Sequence, residues 1–319
     1  MKKILIFKSD RIGDLINISS VINNLKKNFP HCEISIVCSK YNSNIAKYYS
    51  EFSKILLSSR SLILFLIKNF KNIFLTKYDL ILQLDGKKNS YFTTMLANSK
   101  LKAGIKFIKK KRLFGFDYKL QRPNFLISSS YNILESCNED YNVVDNKSYH
   151  YLDLYLKILK KLDLKIYTKK HYLPFKSSKN VNYDSYLHLH IDEKWLNFNS
   201  SFFDYFEEKI TTLSKKNNIC VTSNLTGNLY FYRFKNKFIK NHKFLFKDSV
   251  SVDDLLNIIY FSHTIISSHA GFVVHAGAAF KKKIIDIVPS NINNELDRWI
   301  PFDIDYKRIN ISNSFELSI

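Results

Sequence analysis

Two segments of the chain place chemically capable residues directly after a run of apolar ones. In the first, Ser9-Asp10-Arg11-Ile12-Gly13-Asp14 follows the apolar run KILIF. The glycine lets a ligand approach the backbone closely, and Asp14 stands where a helix is predicted to begin. An aspartate there either caps the helix by accepting backbone N–H bonds or takes a proton from a ligand as a base. The local sequence leaves both roles open.

The second segment is TIISSHAGFVVHAGAAF, from Thr264 to Phe280. It predicts a buried strand, a turn at His269-Ala270-Gly271, and a helix of small residues in which His275 lies one turn from the start. Unpaired backbone N–H groups at a helix start suit a diphosphate, and Gly271 would allow it to come close. The alternative is a tight corner with no ligand. The chain has neither GxGxxG after its first strand nor GxxxxGK[ST], which argues against a nicotinamide enzyme and a P-loop NTPase.

Apolar spacing predicts the elements that position these two segments. Residues at helical spacing from Leu15 to Leu25 predict one helix after the first segment, ended by Pro30. Further predicted strands and helices alternate along the chain, so the predicted fold is α/β with parallel, doubly wound sheets. The predicted strands are 33–38, 55–57, 78–85, 101–107, 186–191, 218–223, 243–246, 264–268 and 283–288, and the predicted helices are 43–52, 61–75, 149–162, 202–215, 252–261 and 271–280.

The polar segment His171–Asp184 contains Pro174 and resumes no periodicity. It is predicted to be the linker between two domains, 1–175 and 176–319, each long enough for its own core.

Two basic segments have more than one interpretation. The apolar residues of 61–75 nearly encircle the predicted helix, which favours packing against the sheet, but its lysines also permit contact with a membrane surface. The run Lys109–Arg112 is predicted as a basic loop with aromatic neighbours, which could bind phosphate or nucleic acid or be a solvated charge run.

The chain has 319 residues, with 49 Lys and Arg against 28 Asp and Glu and a net charge of +21. Such an excess fits an anionic partner such as nucleic acid, an anionic membrane face or a phosphorylated substrate, or it reflects compositional bias alone. Four scattered cysteines, no expected signal peptide, and apolar runs far shorter than the roughly 20 residues of a membrane span predict a cytoplasmic protein.

Three segments together resemble glycosyltransferase family 9, the ADP-heptose:lipopolysaccharide heptosyltransferases. FKSDRIGDLINISSVINNLKKNFPHCEISIV is similar to the family's opening strand, D-x-x-G-D-type loop, apolar helix and L-K-x-x-x-P. YDLILQLDGKKNSYFTTMLANSKLKAGI resembles its Y-D-x-x-x-D-x-x-G region, and SSHAGFVVHAGAAFKKKIIDIV its D-[ST]-G-P-x-H-x-A-A-A-L segment. HIDEKW, at 190–195, is similar to the G-x-x-x-K-x-W segment. The order and spacing of these motifs match the family over most of the chain.

The resemblance implies a GT-B architecture, in which two Rossmann-like domains face each other across a cleft. The N-terminal domain would bind the acceptor and the C-terminal domain the nucleotide-sugar. Sugar transfer would invert the configuration at the anomeric carbon and need neither metal nor cofactor. By the same resemblance Asp14 is the expected base. The expected donor contacts are Lys194, His269, Ala270, Gly271 and His275, and the expected acceptor contacts are Arg11, Gly13 and Asp85.

Two departures from the family pattern bear on the donor. His269 stands where the family has aspartate, and one extra residue separates Gly271 from His275. These departures alter the contacts expected for ADP-heptose, so the donor could be ADP-heptose or a different nucleotide-sugar. Asp85 could equally be a strand-end cap.

The function expected from the resemblance is transfer of a heptose or similar sugar to a lipopolysaccharide core or related surface glycan. Its partners would be a nucleotide-sugar, a lipid-linked or oligosaccharide acceptor and the inner membrane face as a peripheral contact, with no nucleic acid. The alternative is a catalytically inactive GT-B-fold protein that binds anionic glycans or nucleic acid.

Overall fold

The computed structural model describes residues 1–113, 116–138, 150–177, 186–223, 228–289 and 296–311. The chain divides into two compact units, Met1–Lys169 and Lys170–Ile319. The boundary predicted after residue 175 lies six residues further on, within a segment that packs into the second unit. Leu173 is buried there, and the ring of Phe175 lies 5.9 Å from that of Phe280. Residues 178–184 of the predicted linker lie outside the described part of the chain.

The first unit contains a seven-stranded sheet with helices between its strands. Its strands are β1 Lys3–Phe7, β2 Glu33–Cys38, β3 Phe52–Leu57, β4 Tyr78–Gln83, β5 Ser99–Leu113, β6 Phe116–Arg122 and β7 Ile133–Asn138. Its helices are α1 Ile12–Asn17, α2 Ser19–Asn28, α3 Lys40–Ala46, α4 Leu62–Lys68, α5 Lys88–Leu96, α6 Phe125–Ser128 and α7 Tyr151–Lys161, with a π-helical turn at Lys71–Leu75.

The strand order of this sheet is β3-β2-β1-β4-β5-β6, and β7 also pairs with β5. All pairs are parallel except β5 with β6. β1 lies centrally, paired on one side with β2 and on the other with β4. Ile4 to Ile6 are fully buried, as expected for a central parallel strand covered on both faces.

The helix predicted from Leu15 to Leu25 is two helices, α1 and α2, that meet at Ile18. The backbone of Ile18 has φ −83° and ψ 2°, in the bridge region that interrupts regular helix. The apolar spacing was nevertheless informative, because the four residues that define it are all fully buried: Leu15, Ile18, Ile22 and Leu25.

The basic run Lys109–Arg112 was predicted as a loop, and this is wrong. It lies in β5 and pairs antiparallel with β6, with Lys109 opposite Leu120 and Lys111 opposite Tyr118. A run of charged residues carries no period-two apolar signal, so its strand state depends on a partner strand that the local sequence does not reveal.

The second unit contains a six-stranded, all-parallel sheet. Its strands are β8 Tyr186–His190, β9 Asn218–Thr222, β10 Phe244–Lys247, β11 Thr264–Ser267, β12 Lys283–Pro289 and β13 Tyr306–Ile311. Its helices are α8 Ser200–Ser214, α9 Leu229–Phe238, α10 Val252–Phe261 and α11 Gly271–Ala279, with 3₁₀ turns at Glu193–Asn197 and Asp297–Trp299.

The strand order β10-β9-β8-β11-β12-β13 is the 3-2-1-4-5-6 order of dinucleotide-binding doubly wound domains. Aromatic residues of α8 and α9 fill much of the core, and Trp195 lies 5.1 Å from Phe206 between ring centroids. The predicted α/β class and doubly wound sheets are confirmed in both units. Among the described residues, no helix has the length and apolar character needed to span a membrane.

Candidate functional site

In the first unit, Asp14 lies at the start of α1, immediately beyond the carboxyl end of β1. It is the third residue of the helix, and Arg11 occupies the N-cap position. The backbone N–H of Arg11 donates to Oδ2 of Asp14 at 3.3 Å, while the N–H of Asp14 donates to the Arg11 carbonyl at 3.1 Å. Asp14 therefore lies three residues beyond the N-cap position that was one of its two open roles. Asp14 still caps the helix in part, through this reciprocal bond, and remains partly exposed.

A buried lysine supports the loop that precedes Asp14. Nζ of Lys8 donates to Oδ2 of Asp10 at 2.8 Å, to the hydroxyl of Tyr155 at 2.9 Å and to the carbonyl of Leu84 at 3.1 Å. Burial alone would lower the pKa of Lys8, but the charges of Asp10, Tyr155 and Asp14 with the Asp10 hydrogen bond together raise it well above its usual value. Lys8 is thus a fixed cation beneath the loop.

Asp10 is a site residue that the sequence analysis did not single out. Burial raises its pKa to about 7, against the lowering effect of Lys8, and the nearby charges of Asp14 and Asp85 raise it further. Its side chain is 27 % exposed, so it can exchange protons with solvent. The D-x-x-G-D-type loop contains Asp10 as its first residue, and that pattern was the signal available.

Asp85 follows β4, the strand next to β1, and is fully buried. Its Oδ2 accepts bonds from the N–H and hydroxyl of Ser9, at 2.9 and 2.6 Å, and from the hydroxyl of Ser90 at 2.9 Å. Oδ1 accepts the N–H of Lys87 at 3.3 Å. These contacts are those of a strand-end cap, which was one of the two roles left open by the sequence. Asp85 is buried behind the loop and not on its surface.

The other two expected acceptor residues flank Asp14. Arg11 is exposed at the N-cap of α1, and Gly13 is buried in its first turn. Nζ of Lys87, which follows β4, donates to the carbonyl of Ser9. The turns after β1 and β4 are therefore joined by several hydrogen bonds.

In the second unit, Lys194 and the turn before α11 are brought together. Lys194 lies in the 3₁₀ turn after β8, where Oδ1 of Asp192 accepts its N–H at 3.1 Å. Its Nζ donates to the carbonyl of His269, beyond the end of β11. Burial raises the pKa of Asp192 to about 7, although the charge of Lys194 opposes this rise. Two expected donor contacts thus meet at adjacent strand ends.

His269 has its side chain turned away from the helix start. Its backbone φ is 50°, a left-handed conformation that is strained for a residue with a side chain. Both its backbone N–H and its Nδ1 bond to Asp286 of β12, the latter at 2.5 Å. Burial would raise the pKa of Asp286, but the charge and hydrogen bonds of His269, with the hydroxyl of Tyr306, hold it below its usual value. His269 is buried at 3 % exposure and fixes the turn through its side chain.

Gly271 begins α11, and Ala270 is its N-cap. A Cβ built on Gly271 would meet no heavy atom within 4 Å, so the protein leaves open space in front of this helix start. Six residues on, a Cβ at Gly277 would lie 2.5 Å from Cδ1 of Ile265, so that glycine serves close packing of helix on strand. The first N–H groups of a helix lack partners within it, and they suit an anion.

The resemblance implies that His275 contacts the diphosphate, whereas its local sequence fits a packed helix residue, and the structure shows it packed. It is buried at 2 % exposure, and its ring stacks on that of His171 at 5.1 Å with an interplanar angle of 5°. Of the other expected donor contacts, Lys194 bonds to the turn and Gly271 begins the helix.

No protein-family model and no curated protein matches the chain. Several solved structures share its fold. The glycosyl transferase family 9 protein from Veillonella parvula DSM 2008 has a TM-score of 0.68 at 12 % identity, over 97 % of this chain and 86 % of that one.

Two E. coli proteins give similar values. Heptosyltransferase WaaC with ADP has a TM-score of 0.67 at 12 % identity, over 97 % of this chain and 93 % of that one. ADP-heptose lps heptosyltransferase II has a TM-score of 0.67 at 11 % identity, over 98 % and 92 %. The chain therefore has, over nearly its whole length, the two-domain Rossmann-like fold of the family 9 glycosyltransferases that its sequence motifs resemble.

Proposed function

We propose that the protein is an inverting, metal-independent glycosyltransferase that moves a heptose or similar sugar from a nucleotide-sugar to a surface-glycan acceptor. The observation that carries this proposal is the pairing of two unlike strand-end sites on one fold. The first unit presents a partly exposed carboxylate, Asp14, and the second presents a lysine beside an open helix start at Gly271.

The carboxylate supplies the base. A sugar hydroxyl is a weak nucleophile until a positioned base takes its proton, and Asp14 is held by the Arg11 N–H in a fixed orientation. As the hydroxyl oxygen bonds to the anomeric carbon, its proton passes to Asp14, and the bond between that carbon and the diphosphate oxygen breaks. Arg11, exposed near Asp14, would orient the acceptor. Asp85 holds Ser9 at the start of the loop through two hydrogen bonds.

The second unit supplies the leaving-group site. A departing nucleoside diphosphate gains negative charge, which the Lys194 ammonium and the first N–H groups of α11 can stabilise without metal. The Lys194 bond to the His269 carbonyl holds the cation at the turn. Gly271 leaves the room that phosphate oxygens need.

The experiment is a thermal-shift screen of the full chain against ADP, UDP, GDP and CDP and their sugars, followed by transfer assays with the nucleotide-sugars that bind. A ligand that binds only the folded state raises the unfolding temperature. We expect at least one nucleoside diphosphate to stabilise the protein, and its sugar to be consumed when a lipopolysaccharide-core acceptor is added. No shift with any of them would contradict the proposal.

The uneven charge of the chain favours a second candidate, a binding protein without activity. Residues 1–169 contain 30 Lys and Arg against 13 Asp and Glu, whereas residues 170–319 contain 19 against 15. A basic first unit alone would suffice to bind anionic glycans. Donor binding without turnover across the acceptor panel would favour this candidate. Turnover would exclude it.

A further inference from the structure

The first unit exposes apolar side chains on the face that carries α4 and α5. In α4, Phe65 packs into the core, whereas Ile63 and Ile67 are 70 % and 66 % exposed. Because these two residues lie four apart, they form one side of the helix, opposite the buried Phe65. The sequence favoured packing of the whole 61–75 helix against the sheet, yet only one side of it is covered.

The exposed apolar surface continues onto two neighbouring helices. α5 contacts α4, the π-helical turn and α6. Phe92 and Leu96 lie four apart on α5 and are 40 % and 43 % exposed, and Phe125 and Leu126 of α6 are 85 % and 76 % exposed. We call this surface the apolar face: Ile63, Ile67, Phe92, Leu96, Phe125 and Leu126.

A basic cavity of about 510 Å³ adjoins the apolar face, between α5, α6 and the β5–β6 hairpin. Among the residues whose side chains the structure describes, its lining includes the cationic Lys88, Lys109, Lys111 and Arg122 and no carboxylate. Among the described residues, none bonds or pairs with the ammonium groups of Lys88, Lys109 or Lys111. Phe92 belongs to both the cavity and the apolar face, so the two surfaces are continuous.

The two segments that contain α4 and α5 carry charge of one sign. Neither 58–78 nor 86–113, the segments that contain α4 and α5, includes an aspartate or a glutamate. Lys68 and Lys71 are exposed beside the apolar residues of α4. Helices that expose apolar residues flanked by lysines are typical of surfaces that lie in the interface of an anionic bilayer.

We propose that the apolar face and the basic cavity dock the first unit onto a membrane that presents anionic phosphate headgroups. Phe125 and Leu126 enter the boundary between headgroups and acyl chains, while the cavity lysines bind headgroup phosphates. Docking would bring the protein to a lipid-linked acceptor, which lies in such a membrane. This biological role rests on the proposed function. The binding itself needs neither donor nor transfer.

The composition of the surface favours a lipid partner over the other macromolecules. Cores of protein–protein interfaces are depleted in lysine, whereas lysines are interspersed here. Nucleic acid would engage the cations, but it gains little from the exposed Ile63, Ile67 and Leu126. A bilayer uses both kinds of side chain.

The test is flotation of the full chain with vesicles of phosphatidylcholine, alone or mixed with phosphatidylglycerol, without nucleotide-sugar. We expect binding to the mixed vesicles only. Phe125→Ser with Leu126→Ser should weaken it about tenfold or more, since both side chains are exposed in the free protein and buried in the bilayer. Lys109→Gln with Lys111→Gln should weaken it about tenfold and reduce its salt dependence.

Matched variants lie elsewhere on the chain. Lys160→Gln with Lys165→Gln removes the same charge at the end of α7 and in the segment that follows it, and Leu229→Ser removes an exposed leucine of the second unit. Both should bind vesicles as the unaltered protein does. The docking proposal would be overturned if the protein bound equally well to phosphatidylcholine alone, or if the matched variants lost as much vesicle binding. It would also be overturned if the substitutions changed only the oligomeric state or the affinity for RNA. Transfer to a soluble acceptor fragment, assayed separately, would show whether the proposed function stands without it.

Discussion

The two units build their central strand ends in the same way but differ in the groups that they leave accessible there. In the first unit the turns after β1 and β4 are joined through Ser9 and Asp85, and in the second the turns after β8 and β11 are joined through Lys194 and His269. These are equivalent points of the strand order, where the winding of the sheet reverses and ligands bind in such folds.

The residues next to these joined turns differ between the units. The first unit leaves two carboxylates partly exposed there, Asp10 and Asp14, whereas the second buries Asp192 and has Lys194 close to an open helix start. The first unit is nevertheless the more basic of the two, because most of the excess of Lys and Arg lies in residues 1–169. In the proposed function, a few residues at the strand ends therefore set the ligand chemistry, while the excess of Lys and Arg lies on other surfaces.

The two glycines of α11 give the largest expected effect outside Asp14 itself. Gly277→Ala should reduce the free energy of unfolding by about 2 kcal/mol, because its Cβ would overlap the side chain of Ile265. Gly271→Ala should keep the stability and weaken nucleotide binding, because its Cβ would fill space reserved for phosphate. Urea unfolding measures the stability of each variant, and calorimetric titration with the nucleotide found in the screen measures its affinity. Unchanged affinity in Gly271→Ala would remove this helix start from the donor site.

Lys194 should have the next largest effect. Lys194→Ala should weaken binding of the nucleoside diphosphate about tenfold, or about 1.4 kcal/mol, since one cation at the phosphate is lost. Lys216→Ala, at an exposed position after α8, is the matched control and should bind normally. Equal affinities in the two variants would mean that the second unit does not use Lys194 for phosphate.

Asp10 should give a smaller effect, on pH dependence. As pH rises through about 7, Asp10 ionises and adds negative charge near Asp14, which favours proton transfer to Asp14. Transfer activity should therefore rise through that range, and Asp10→Asn should flatten the rise, with a change of about fivefold expected from one partly solvated neighbouring charge. An unaltered pH profile in Asp10→Asn would show that Asp10 does not act on the base.

The same group makes a prediction about stability. The folded-state pKa of Asp10, about 7, lies above that of an unfolded aspartate. The folded state therefore binds more protons than the unfolded state between pH of about 4 and 7, and stability should fall as pH rises through this window. Urea unfolding at the two ends of the window should show a smaller fall in Asp10→Asn. An equal fall would assign the effect to other groups.

The sequence was sufficient where a pattern is local. The strand–turn–helix units around Asp14 and Gly271 were predicted within a few residues, and α10 has the predicted bounds, capped by Ser251. Apolar periodicity and capping side chains act over one or two helical turns, so a single chain displays them.

The rest depends on contacts between distant residues. β6 and β7 pair with β5, and the basic run at its end gave no apolar signal for a strand. Lys194 and His269 are 75 positions apart, and their contact follows only from the order of the strands. The burial of His275 on His171 likewise requires the position of a segment that had been predicted as a linker.

In the proposed function Asp14 is the base for transfer, and Asp14→Asn removes its basicity with the least change in structure. The amide keeps the size of the side chain and an oxygen that can accept the Arg11 N–H, but it cannot take a proton at neutral pH. With the donor found in the screen and a lipopolysaccharide-core acceptor, turnover should fall about 10³-fold while the affinity for the nucleoside diphosphate is unchanged. Turnover within a few fold of that of the unaltered protein would show that Asp14 is not the base.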